Sequence, residues 1–219
     1  MGKFKIFLFF SFSLLLVSCY DDDVIIIDEN NERLLHAESE LTILMKSVVA
    51  HDTTKDFVVT HSNCFTINLP YEIKVDGELR QINHYDDLED ITLEHSITYV
   101  FPLEISFVNY ESIVVNNHTE LNLLNDKCDN EGLNYHKNTC AEFIYPIEIA
   151  TYNTLSQRFD TVTLEHDHDG FVFIDNLSPS DLFGINYPTE IIISGNNHFS
   201  IEDNTNLALH FRTSSATCQ

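Results

Sequence analysis

The residues most suggestive of chemistry run consecutively as Glu165-His166-Asp167-His168-Asp169-Gly170. A loop that wraps a hard cation places oxygen ligands at alternate positions and a glycine at the sixth, where the chain must turn. Glu165, Asp167, Asp169 and Gly170 meet part of that pattern. The twelfth position, which in such loops is a bidentate glutamate, is Asn176. Zinc would instead use His166 and His168, which share a side when the backbone is extended, and would need a third ligand from elsewhere. A reading without metal competes: carboxylates are favoured at the first turn of a helix, where unpaired N–H groups carry partial positive charge. A calcium or zinc site at Glu165, His166, Asp167, His168 and Asp169 is therefore the alternative expectation, and no resident cofactor is required.

A second set is dispersed. Glu72, Glu104, Glu148 and Glu190 each follow a proline by two, in LPYEI (69–73), FPLEI (101–105), YPIEI (145–149) and YPTEI (187–191). Two carboxylates held about 5 to 9 Å apart can hydrolyse a glycosidic bond, which makes a surface hydrolase a further alternative. A catalytic pair needs two unlike environments to separate its pKa values, however. The same glutamate in every equivalent strand fits protection of sheet edges better. No G-x-S-x-G elbow is present, and 6 glycines leave little material for phosphate-cradling loops.

These residues depend on strands for their placement. Apolar side chains alternate through each motif: Ile67, Leu69, Tyr71, Ile73, Val75; Tyr99, Phe101, Leu103, Ile105, Phe107; Phe143, Tyr145, Ile147, Ile149; Ile185, Tyr187, Ile191, Ile193. A period of two buries one face and turns all four glutamates to the other. Proline has no N–H for a ladder, so each motif strand is an edge, starts at the proline, or bulges there. Two small sheets would supply four edges, one per motif. A return strand and a short helix are expected after each motif. Asp76-Gly77 is a hairpin signal before Glu78–Ile82, with a helical segment at 86–91. Ser112–Val115 is followed by an Asn117-to-Glu120 cap that opens a helix at 121–124. Arg158–Leu164 precedes a segment at 170–177, and His198–Ile201 precedes a helix at 207–211 capped by Asp203. Residues 29–52 form one amphipathic helix candidate, with Leu34, Leu41, Leu44, Met45 and Val48 near helical spacing.

Cysteines reinforce the repetition. Cys64 and Cys140 each lie six residues before a motif proline, and Cys128 and Cys218 trail the second proline of each half. The pairing that respects this spacing is Cys64 with Cys128 and Cys140 with Cys218. Four cysteines allow three connectivities, and all three stay open here. The fold class expected is α+β: four copies of a β-hairpin plus short helix, in two homologous disulfide-braced halves at 57–128 and 140–218, preceded by the amphipathic helix.

The N-terminus supplies an address. Lys3 and Lys5 precede an apolar run too short to span a bilayer, so residues 1–18 are expected to be a signal peptide. Leu16-Val17-Ser18-Cys19 resembles a bacterial lipobox, with Cys19 the acylated residue, and an acidic tether follows at 19–28. The chain carries 35 acidic residues against 11 basic ones, two of which lie in that leader. Nucleic acid binding, which depends on neutralising phosphates, is not expected of so acidic a protein.

Together ELTILMK (40–46), NCFTINLP (63–70), FPLEI (101–105), YPIEIATYNT (145–154) and FDTVTL (159–164) resemble an uncharacterised group of Bacteroidota surface lipoproteins with repeated Pro-x-Glu/Thr-Ile strand motifs. That resemblance implies an outer-membrane location, lipid-anchored and surface-exposed, with the membrane as one partner. It implies no activity, ligand or catalytic residue. The function expected is therefore a noncatalytic module that binds an unknown surface ligand or protein, or that serves the structure of the envelope.

Overall fold

The computed structural model describes residues 34–130 and 137–217. The signal peptide, Cys19, the tether at 19–28 and Cys218 lie outside the described residues. No helix among the described residues is long and apolar enough to cross a membrane.

Among the described residues, twelve strands and five α-helices form an α+β fold with four three-stranded antiparallel sheets. In chain order, α1 (Glu40–Val48) and α2 (Phe57–Thr60) are followed by β1 (Phe65–Ile67), β2 (Tyr71–Val75), β3 (Glu78–Ile82) and a 3-10 turn at Tyr85–Leu88. Next come β4 (Ile97–Tyr99), β5 (Leu103–Phe107), β6 (Ser112–Val115) and α3 (His118–Asn130). The remainder is β7 (Ala141–Ile144), β8 (Ile147–Asn153), β9 (Arg158–Leu164), α4 (Asp167–Asp175), β10 (Asp181–Ile185), β11 (Thr189–Ile193), β12 (Asn197–Ile201) and α5 (Asn204–Thr217).

Of the three readings open to the motif strands, the start at the proline holds, and the assignment of the motifs to sheet edges is overturned. Each motif strand, β2, β5, β8 and β11, is the centre of its own sheet, in the orders β3-β2-β4, β1-β5-β6, β10-β8-β9 and β12-β11-β7. Pro70, Pro102, Pro146 and Pro188 each stand immediately before the strand, after a cis peptide bond. Proline has no N–H to offer a ladder, and outside the strand it need offer none. The alternating run through each proline is accordingly not one strand. The part before the proline leaves for the neighbouring sheet: β1 pairs with β5 while β4 pairs with β2. In the second half β7 pairs with β11 and β10 with β8. There are four sheets where two were expected, each completed by an exchanged strand.

Alternation still holds within each central strand. Tyr71, Ile73 and Val75 of β2 are buried while Glu72 and Lys74 are exposed, and β5, β8 and β11 begin in the same way. The buried side chains form two hydrophobic clusters. One gathers Phe65, Ile67, Ile73, Ile82, Leu103 and Ile105; the other gathers Met45, Ile149, Phe171, Phe183, Ile191 and Phe211. Cys64 and Cys128 are bridged, tying the C-terminal part of α3 to the chain just before β1 across 64 residues. Cys140 is also disulfide-bonded.

The helix expected over 29–52 is shorter. Leu35 exchanges backbone hydrogen bonds with Phe183 of β10 (2.7 and 2.9 Å) and so extends that sheet's edge. Among the described residues of that span, Glu40–Val48 is the helical part, burying Leu41, Thr42, Met45 and Val48 on one face. Two ion pairs pin it to neighbouring helices, Glu40 to Arg212 of α5 at 2.7 Å and Lys46 to Asp175 of α4 at 2.6 Å.

Candidate functional site

The cluster at 165–169 builds a helix terminus. His166 is the N-cap of α4, and its Nδ1 accepts the Asp169 N–H at 3.4 Å. Asp169 Oδ2 accepts the Glu165 N–H at 3.0 Å and sits 3.2 Å from His166 Nδ1. Donors at the helix start are thus satisfied by two side chains, His166 reaching forward into the first turn and Asp169 reaching back over it. This brings the helix start forward from the expected residue 170 to Asp167.

Asp167 turns the other way. Its carboxylate accepts from Lys137 Nζ at 3.0 Å and from the Tyr145 hydroxyl at 2.8 Å. The same ammonium donates to the carbonyls of Val48 (3.1 Å) and Ala50 (2.8 Å) at the end of α1, where cations are favoured. Lys137 therefore joins the C-terminus of one helix to the N-terminus of another. Burial, with the negative Asp167 beside it, pushes the Tyr145 hydroxyl far above its ordinary pKa, so it acts here only as a donor. His168 packs its ring on Tyr110 at 4.6 Å between centroids. Tyr110 in turn donates to the Val49 carbonyl at 2.9 Å and packs on His51 at 5.0 Å.

His166 meets Asp169 and its ring lies 6.3 Å from that of His168, while Asp167 turns to Lys137 and Tyr145. Among the described residues no group of three or more His, Cys, Asp or Glu is placed to hold a metal ion. The calcium and zinc expectation at Glu165, His166, Asp167, His168 and Asp169 thus lacks its geometry. Gly170 has another reason to be glycine: a Cβ there would lie 3.1 Å from Val49 Cγ1, so it permits close packing of α4 on the end of α1.

Nor do the four motif glutamates converge. Glu72, Glu104, Glu148 and Glu190 are all exposed, each on the central strand of a different sheet. A paired-carboxylate hydrolase site is not assembled from them.

What the fold does assemble is a cleft of about 450 Å³ between the two hydrophobic clusters. Phe107 of β5, Ile113 of β6 and Leu124 of α3 line one side with the Cys64–Cys128 bridge; Lys46 of α1 and Phe171 of α4 line the other. Glu111, Lys127 and Asp175 add charge of both signs. Lys46 Nζ lies 5.0 Å from the Phe171 ring centre while paired with Asp175, so a cation–π contact and an ion pair share one ammonium. Clefts of ~300–1,000 Å³ that are mainly apolar with a few placed polar groups are the usual form of a ligand site. Sequence reasoning missed this cleft, because its walls come from elements far apart in the chain. Its one sequence signal was the cysteine spacing that placed Cys128 beside Cys64.

A buried acid was also missed. Asp56, the N-cap of α2, is fully buried; its Oδ2 accepts the Ile67 N–H at 2.7 Å, whereas Oδ1 has no hydrogen-bond partner. The Tyr71 hydroxyl is likewise buried without a partner. Burial pushes the Asp56 carboxyl up to about 6. Burial and the nearby Asp56 together push the Tyr71 and Tyr99 hydroxyls up, Tyr99 to about 12.

Comparison of the chain with protein-family models, with curated proteins and with solved structures finds no match.

Proposed function

We propose that the chain is a lipid-anchored protein of the outer membrane, acylated on Cys19 and displayed at the cell surface, whose folded part is a noncatalytic binding module. The cleft between the two clusters carries the binding half of this reading. It offers apolar walls, both signs of charge and a disulfide in its lining, and a disulfide suits an oxidising compartment. The address half rests on the leader, the Ser18-Cys19 junction and the acidic residues after it. We further propose that the chain arose by two rounds of duplication of a strand–proline–strand–strand–helix element. The recurrence of that order, and of the strand exchange in each half, supports this origin.

Two experiments test the reading. Fractionation of cells grown with labelled palmitate should find label and protein together in the outer membrane, and Cys19→Ala should lose both; an unlabelled, periplasmic wild type would refute the anchor. Thermal melts of the mature chain carrying Cys19→Ala, against panels of short peptides, oligosaccharides and amphiphiles, should give a rise that Leu124→Lys abolishes. A rise unaffected by that change would move the site away from the cleft.

A further inference from the structure

Each return strand, β3, β6, β9 and β12, is the outer strand of a sheet. Such edges invite pairing with another chain unless charge or cover protects them. On β3, Arg80 is held by Asp90 at 2.6 Å and Glu78 stands at the strand's start. On β9, Arg158 and Asp160 flank Phe159, whose ring stacks on Tyr152 at 4.5 Å. On β12, Phe199 packs its ring at a tilt against His210, 4.4 Å between centroids. Exposed apolar side chains occur on the other edges too, Leu79 at 62% on β3 and Phe159 at 54% on β9, and β12 like β6 carries no Asp, Glu, Lys or Arg. β6, Ser112-Ile113-Val114-Val115, combines the two: it is without charge while leaving the neighbouring aliphatic side chains Ile113 38% and Val114 58% exposed, and Ile113 also lines the cleft.

Its backbone is also available. The Phe107 N–H donates to the Glu111 carbonyl at 2.8 Å, so that opposed pair is a hydrogen-bonded one. Antiparallel pairs alternate, which makes Ile105/Ile113 and Leu103/Val115 the next bonded pairs and turns the N–H and C=O of Ser112 and Val114 away from β5. Among the described residues no strand pairs with that side. Ile113, on the same edge, lines the cleft.

We propose that β6 is a docking edge that takes an extended peptide segment as a fourth strand, with apolar residues on the cleft side and basic residues on the outer side. This rests on the binding-module reading and names its ligand class. Main-chain hydrogen bonds to Ser112 and Val114 supply affinity, and alternate side chains supply specificity. Side chains on the Ile113 side reach toward Phe107 and Leu124 in the cleft, whereas those on the Val114 side share a face with Glu104, which is paired with Val114 across the ladder. Glu111 stands just before the strand, and the whole chain carries a formal net charge of −24. That charge favours a basic partner and opposes a second copy of this chain, although edge-to-edge pairing would otherwise suit one.

The test uses a blocked hexapeptide of alternating lysine and valine, titrated calorimetrically into the mature chain carrying Cys19→Ala. Binding is expected, with affinity falling at least about tenfold for Ile113→Lys and for Val114→Pro, and unchanged for Phe199→Lys on β12. The same peptide N-methylated at alternate backbone positions should lose binding to unaltered protein, a control that needs no protein variant to fold. Equal affinity for the methylated peptide, or for one with glutamate in place of lysine, overturns the proposal, as does sedimentation showing the free chain paired through β6. A cleft ligand found among the amphiphiles or oligosaccharides, with no peptide binding, overturns this inference and leaves the binding-module reading standing. No ligand of any class overturns both.

Discussion

Each hydrophobic cluster keeps an aspartate among tyrosines at a helix start, and the two solve the problem of its charge differently. Asp167, beside the second cluster, is about a third exposed and is answered by the Lys137 ammonium and the Tyr145 hydroxyl. Asp56, in the first, is fully buried with one backbone N–H on one oxygen and nothing on the other. Where a cation is supplied, the carboxylate becomes a tie between α1 and α4. Without one, desolvation dominates and the proton is retained to about pH 6. Both clusters have a disulfide-bonded cysteine, Cys64 with Cys128 in the first and Cys140 next to the second, and the second adds a cross-link by charge.

That contrast makes unequal demands on variants. Replacing Cys64 and Cys128 by serine should cost about 4 kcal/mol in urea unfolding, since the bridge closes a loop of 64 residues. The loss should fall on the first cluster; equal loosening of both would erase the distinction. Lys137→Met leaves two carbonyls without their donor and Asp167 with the Tyr145 hydroxyl but no cation, and should cost about 3 kcal/mol. A double variant that also carries Asp167→Leu should recover part of that loss.

Asp56 sets a dependence on pH. Its folded value of about 6 lies above its ordinary value of 3.8. Between the two, the unfolded chain gives up a proton that the folded chain keeps. Its contribution to stability is therefore full below about pH 4 and is lost as pH rises through about 6, a change of about 2–3 kcal/mol. Asp56→Asn should flatten the stability profile in that window while keeping an acceptor for the Ile67 N–H. An unchanged slope would mean that the buried carboxyl titrates normally. His51 works in the opposite sense. Burial lowers its pKa, so its contribution is present above about pH 6.5 and fades as pH falls through the folded value. Smallest of all, Glu104→Gln and Glu148→Gln should each shift stability by less than about 0.5 kcal/mol, as exposed positions do. A large loss would restore a role for the motif carboxylates.

Much of the local structure was legible before any coordinates. Asp76 and Gly77 both adopt positive φ, 50° and 90°, in the hairpin their pair signals. β9 occupies the expected span, and Asn117 and Glu120 cap α3 through the Glu120 N–H at 3.0 Å and the Asn116 N–H at 2.8 Å. The bridge between Cys64 and Cys128 follows the spacing. The strand exchange was not legible. Ile67 and Ile73 have the same parity on either side of Pro70, so a period-two pattern reads straight through a point where the chain changes sheets. The motif prolines left an edge, a start or a bulge open, and only the sheet order shows that each starts a central strand. The candidate site was less legible still. Gly170 and its acidic neighbours match a cation loop by composition, but Val49, 121 residues earlier, decides what that glycine is for. The cleft and the β6 edge depend on which long-range neighbours leave Ile113 and Val114 uncovered, and no local pattern records that.

Amide hydrogen exchange across the four outer strands, with and without the alternating lysine–valine peptide, decides whether β6 is the docking edge. Exchange should slow at Ser112 and Val114 of β6, with β3, β9 and β12 unchanged. Protection appearing on β9 or β12, or unaltered exchange at β6 while the peptide is bound, would contradict that role.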